Sequence, residues 1–84
     1  MGIKELQYLI HRKGTFHFND GKNLDGMIVS RYNISLGRVE YYFIPAEKMS
    51  DYDTARHQHD VEAHRRLGMR IEASSISSAK LAAA

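Results

Sequence analysis

From Thr15 to Ile44 the apolar side chains recur at about every second residue, whereas on both flanks they recur at every third or fourth. Few features constrain a fold more. A period of two sends side chains to alternate faces of a strand, and a period near 3.6 gathers them on one side of a helix. The chain therefore reads as α+β, extended in the middle and helical on either side. Its 84 residues allow one domain with one small core, burying roughly 60% of the surface that the unfolded chain exposes.

Residues 3–12 are predicted to form an N-terminal helix. Ile3, Leu6, Leu9 and Ile10 share one face; His11, Arg12 and Lys13 place positive charge in the last turn, and Gly14 offers a left-handed stop. Phe16 and Phe18 then alternate with Thr15 and His17, followed by the tight turn Asn19-Asp20-Gly21-Lys22. A second strand runs from Leu24 to Tyr32, where Gly26 demands a sharp bend or the close approach of another backbone. After a turn at Asn33–Gly37, the strand Val39–Ile44 ends at Pro45, the one proline. In it Val39, Tyr41 and Phe43 face one way and Glu40, Tyr42 and Ile44 the other. Both faces are apolar enough to bury, so the following helix or a partner must cover the second. Three strongly bent antiparallel strands of this kind make a small partial barrel.

A long helix is expected over residues 50–67, capped by Ser50 or Asp51, with Tyr52, Ala55, His59, Ala63 and Leu67 as its packing stripe and Gly68 as its stop. Met69–Ala73 alternates as a last short strand would, and Ser74–Ala79 reads as a short helix or a frayed end. Lys80-Leu81-Ala82-Ala83-Ala84 looks like cloning-vector linker, which leaves residues 1–79 as the single domain.

The run Phe18-Asn19-Asp20-Gly21-Lys22-Asn23-Leu24-Asp25-Gly26-Met27-Ile28 resembles the first signature of the Sm/LSm-like (Hfq-type) small barrels. That signature is apolar, any, Asp or Asn, Gly, basic, any, apolar, any, Gly, any, apolar. Tyr32-Asn33 is similar to the aromatic–Asp pair that follows it. The second signature, by which that family grips a nucleotide, is absent, because Ile44-Pro45-Ala46 stands in its place. The resemblance implies a bent Sm-like or other SH3-like β-barrel, in which edge strands of neighbouring copies pair.

The densest chemical stretch is His57-Gln58-His59-Asp60-Val61-Glu62-Ala63-His64. On one helix Asp60 and His64 lie a turn apart, but His57 and His64 lie two turns apart, too far to share an ion. The reading is an Asp–His surface pair plus one half-buried histidine, His59 of the packing stripe, with no structural metal. With no cysteine in the chain, thiol catalysis, disulfides and Cys-type zinc sites are excluded. Ser74, Ser75, Ser77 and Ser78 lack a nucleophile elbow, and Asp51 and Asp53 suit a helix start. No enzymatic activity and no cofactor are expected.

Twelve Lys and Arg against ten Asp and Glu give a net charge of +2, too diffuse for a dedicated duplex-binding surface. Arg31, Tyr32, Arg38, Tyr41 and Tyr42 are the candidate contact residues, for a protein interface or for single-stranded RNA or DNA stacked on exposed tyrosines. No apolar run approaches the roughly 18 residues of a membrane span, so the expectation is a cytoplasmic protein with no membrane role. The Val39–Ile44 strand carries one charge, Glu40, and as an edge it would recruit a second copy. A homo-oligomeric, non-catalytic binding and assembly module is the functional expectation.

Overall fold

Both faces of the aromatic strand are covered from within the chain. The computed structural model describes residues 1–82. Helix α1 (Ile3–Leu9) precedes strands β1 (Lys13–Phe18), β2 (Asn23–Asn33) and β3 (Arg38–Pro45). Helices α2 (Met49–His57) and α3 (Ala63–Leu67) follow, then strands β4 (Met69–Ile71) and β5 (Ile76–Leu81). The strands form one antiparallel open sheet in the order β4-β3-β2-β1-β5.

On one side Leu6 of α1 packs with Phe16, Ile28, Tyr41, Phe43 and Ile76. Phe43 meets the edges of Phe16 and Phe18 at 5.7 and 5.6 Å, contacts worth about 1 kcal/mol each beyond burial. On the other side Met27, Val29, Tyr42 and Ile44 pack against Tyr52 and Ala55 of α2 and Ala63 of α3. Helix rather than partner thus covers the second face. The carbonyl of Ile44 and the ring of Phe43 crowd Gly26 so closely that no Cβ fits there, which is the close approach its mid-strand position demands.

Several expectations need correction. The N-terminal helix ends at Leu9, and His11 rather than Gly14 takes the positive φ, 64°. Gly14 instead pairs with Gly26 and Leu81 within the sheet. The long helix is two short ones. Beyond α2, His59 N–H donates to Arg56 O and Asp60 N–H to Ala55 O, at 3.0 and 2.9 Å, with His59 at φ 58°. That is the Schellman termination, with histidine in the position usually held by glycine. Tyr52, Ala55, Ala63 and Leu67 still pack as a stripe, but His59 is exposed. The sheet has five strands, not three or four, because Ile76–Leu81 pairs with β1. Lys80 and Leu81 of the linker-like tail continue β5, and Ala83 and Ala84 lie outside the described residues.

The Val39–Ile44 strand is not an edge. It pairs with β2 on one side and β4 on the other, and the outer strands of the sheet are β4 and β5. No helix among the described residues is long and apolar enough to cross a membrane.

Candidate interaction surface

Strands β2 and β3 run past the core as a hairpin, pairing as far as Asn33↔Arg38. Its turn is closed internally. Gly37 N–H donates to Asn33 O at 2.8 Å, with Gly37 at φ 64°, and Leu36 N–H donates to Asn33 Oδ1 at 3.1 Å. The side chains that gain nothing from the core are apolar: Ile34 is 87% exposed, Tyr32 63% and Leu36 57%, and Val39, opposite Tyr32, is half exposed. Arg31 and Arg38 flank them, both exposed.

Beneath the turn lies Glu40, 8% exposed. Asn33 Nδ2 and the Tyr42 hydroxyl donate to its Oε1 at 3.1 and 3.3 Å. Arg70 of β4 and Arg38 lie 3.4 and 4.0 Å from Oε2. The Asn33 hydrogen bond, then Arg70, Tyr42 and Arg38, hold its carboxyl below 4.5 against the opposing effect of burial. The carboxylate is a structural anchor, tying turn, β3 and β4 together.

A cleft of about 230 Å³ separates the hairpin from α3, lined by Arg31, Tyr32, Glu40, Val61, His64 and Arg65 among others. His64 is 5% exposed, its ring lies edge-on to Tyr42 at 4.6 Å, and its Nδ1 has no hydrogen-bond partner among the described residues. Burial, with Arg31 and Arg65 adding repulsion and Glu62 and Glu40 opposing, lowers its pKa below 6.5.

The histidine stretch does not come together as a surface pair. His57 Nδ1 bonds Asp53 O at 2.7 Å, and Asp60 takes Arg66 at 2.7 Å and Glu62 N–H at 3.0 Å, so that its carboxyl falls below 3.8. No group of three His, Asp or Glu among the described residues is arranged to hold a metal ion. The Ser75 and Ser77 hydroxyls donate to the backbone carbonyls of Glu72 and His17.

Of the five candidate contact residues, Arg31, Tyr32 and Arg38 share the hairpin surface. Tyr41 and Tyr42 do not: each ring is buried, in opposite cores. Covered by other side chains on both faces of the sheet, neither ring is a stacking platform. Ile34 and Leu36 were not among the candidates. Their signal was two apolar residues between Asn33 and Gly37, in a turn that polar residues ordinarily fill. Comparison with family models, with curated proteins and with solved structures found no match to this chain.

Proposed function

We propose that the chain is a non-catalytic binding and assembly module, a partial barrel of the Sm/SH3-like kind, acting in the cytoplasm and self-associating through β5. The observation that carries this reading is the outer edge of β5. Its six residues bear one charge, Lys80, and among the described residues no strand but β1 pairs with it. Ala82 N–H donates to Lys13 O at 2.9 Å, so by alternation the backbone groups of Ala79 and Leu81 point away from β1. An edge of this length with one lysine is weakly protected, and a second β5 related by a two-fold axis pairs with it.

Ser78 is exposed beside Lys80 on this strand. The substitution Ser78→Lys adds a second like charge to each copy of the symmetric pair. The variant is expected to elute as a folded monomer where the wild-type protein elutes as a dimer. Equal elution of both as dimers removes β5 as the interface.

Single-stranded nucleic-acid binding keeps one observation in its favour, the exposed Tyr32 between Arg31 and Arg38. An oligonucleotide titration at low salt tests it, with Tyr32→Ala expected to abolish any binding that stacking supports.

A further inference from the structure

We propose that the tip of the β2–β3 hairpin is a docking element for an anionic lipid surface. Three independent features of the tip converge on that occupant.

The first is its shape and polarity. Ile34 and Leu36 are exposed at the end of the hairpin and line neither of the two clefts beside it. A projecting tip of Ile34 and Leu36 offers no groove to a peptide, and neither side chain has an aromatic face for a base. A bilayer interface needs neither, because it deforms around what enters it. Tyr32 sits at the base of the tip, where an amphipathic ring favours the headgroup layer.

The second is charge. Gly26 to Val39 contains Arg31 and Arg38 and no acidic residue; the next acid, Glu40, is buried with Arg38 4.0 Å from its Oε2, and Glu62, across the cleft from Arg31, pairs with Arg65 at 3.3 Å. Two long cationic side chains flanking apolar ones can hold lipid phosphates and carboxylates while the apolar groups sink below them.

The third is the backbone. Entry into a low-polarity layer penalises unpaired N–H groups, and the turn's Leu36 and Gly37 N–H groups are both bonded to Asn33. The same Asn33 is anchored to buried Glu40, so the tip meets the surface already formed. Peripheral docking of this kind requires no membrane-spanning segment.

Sedimentation with vesicles tests this, using phosphatidylcholine alone and phosphatidylcholine mixed with phosphatidylserine. The full chain is expected to bind the mixed vesicles and to bind the neutral ones far more weakly. Ile34→Ser with Leu36→Ser is expected to weaken binding about tenfold or more, and Arg31→Gln or Arg38→Gln about fivefold each. All four side chains are exposed, so an unchanged thermal midpoint shows that each variant folds. No vesicle binding by the wild-type chain overturns the proposal, as does undiminished binding by the Ile34/Leu36 variant, which would reduce it to charge adsorption. Binding of a single-stranded oligonucleotide that depends on Tyr32, without vesicle binding, also overturns it.

Discussion

The Asn33 amide donates to Glu40 Oε1 at 3.1 Å, joining the exposed hairpin turn to a carboxylate buried beneath it. Because Asn33 also accepts from Leu36 and Gly37 N–H, one side chain and its carbonyl hold the turn's shape and its attachment. Removal by Asn33→Ala is expected to cost about 2 kcal/mol, since it leaves a buried carboxylate short of a donor, while the exposed Leu36 N–H turns to water. Chemical denaturation measures that loss.

Glu40 also sets an acid limit on stability. Its folded-state pKa lies below 4.5, so the unfolded chain binds its proton first. The stability it contributes is complete above about pH 4.5 and is lost as pH falls through the lowered value. Acid unfolding followed by circular dichroism is expected to show this loss in the wild-type chain and a flatter profile in Glu40→Gln.

His64 acts in a higher window and with the same sign. Its pKa is lowered from 6.5 because the folded chain buries it. As pH falls below about 6.5 the unfolded state takes up a proton that the folded state refuses, and stability declines until the lowered value is reached. His64→Phe keeps an aromatic edge against Tyr42 and is expected to abolish the decline. A thermal midpoint with the same pH slope in both proteins would assign it elsewhere.

Of the hairpin's three tyrosines, Tyr42 and Tyr32 should behave oppositely. Tyr42 is packed between β3 and the α2–α3 layer, so Tyr42→Lys buries an unmatched charge. It is expected to cost on the order of 4 kcal/mol, most of a small domain's stability. Tyr32→Ala, at an exposed position, is expected to stay within about 0.5 kcal/mol of wild type. Urea midpoints of the two variants decide this directly.

Crowding at Gly26 sets the remaining expectation. A methyl group there meets the Ile44 carbonyl and lies 2.7 Å from Phe43 Cζ, so Gly26→Ala is expected to destabilise by about 3 kcal/mol. A variant as stable as wild type would contradict the close β2–β3 approach.

The same residues show what can be read along a chain and what cannot. Strands β1 to β3 were legible because Phe16, Ile28, Val39, Tyr41 and Phe43 alternate with their neighbours, and the two faces of β3 followed from that alternation. The break between α2 and α3 was hidden, because the left-handed residue that ends α2 is His59, which carries no breaker signal. Strand β5 was hidden for the opposite reason. Ser77, Ser78 and Ala79 have no marked preference, and their extended state is imposed by pairing with His17 and Phe16, a long-range contact invisible to local pattern. At the candidate surface, Arg31, Tyr32 and Arg38 were legible as interleaved charge and aromatic. Burial of Tyr41 and Tyr42 depended on Leu6 of α1 covering one face of the sheet and Tyr52, Ala55 and Ala63 of α2 and α3 the other, contacts made across the chain and not along it.

Light scattering at increasing concentration, up to tens of micromolar, tests the central claim of self-association most directly. A mass rising to twice the 9.6 kDa of one chain, and lowered by Ser78→Lys, is the result the β5 edge predicts. A mass that stays at that of one chain throughout would contradict it.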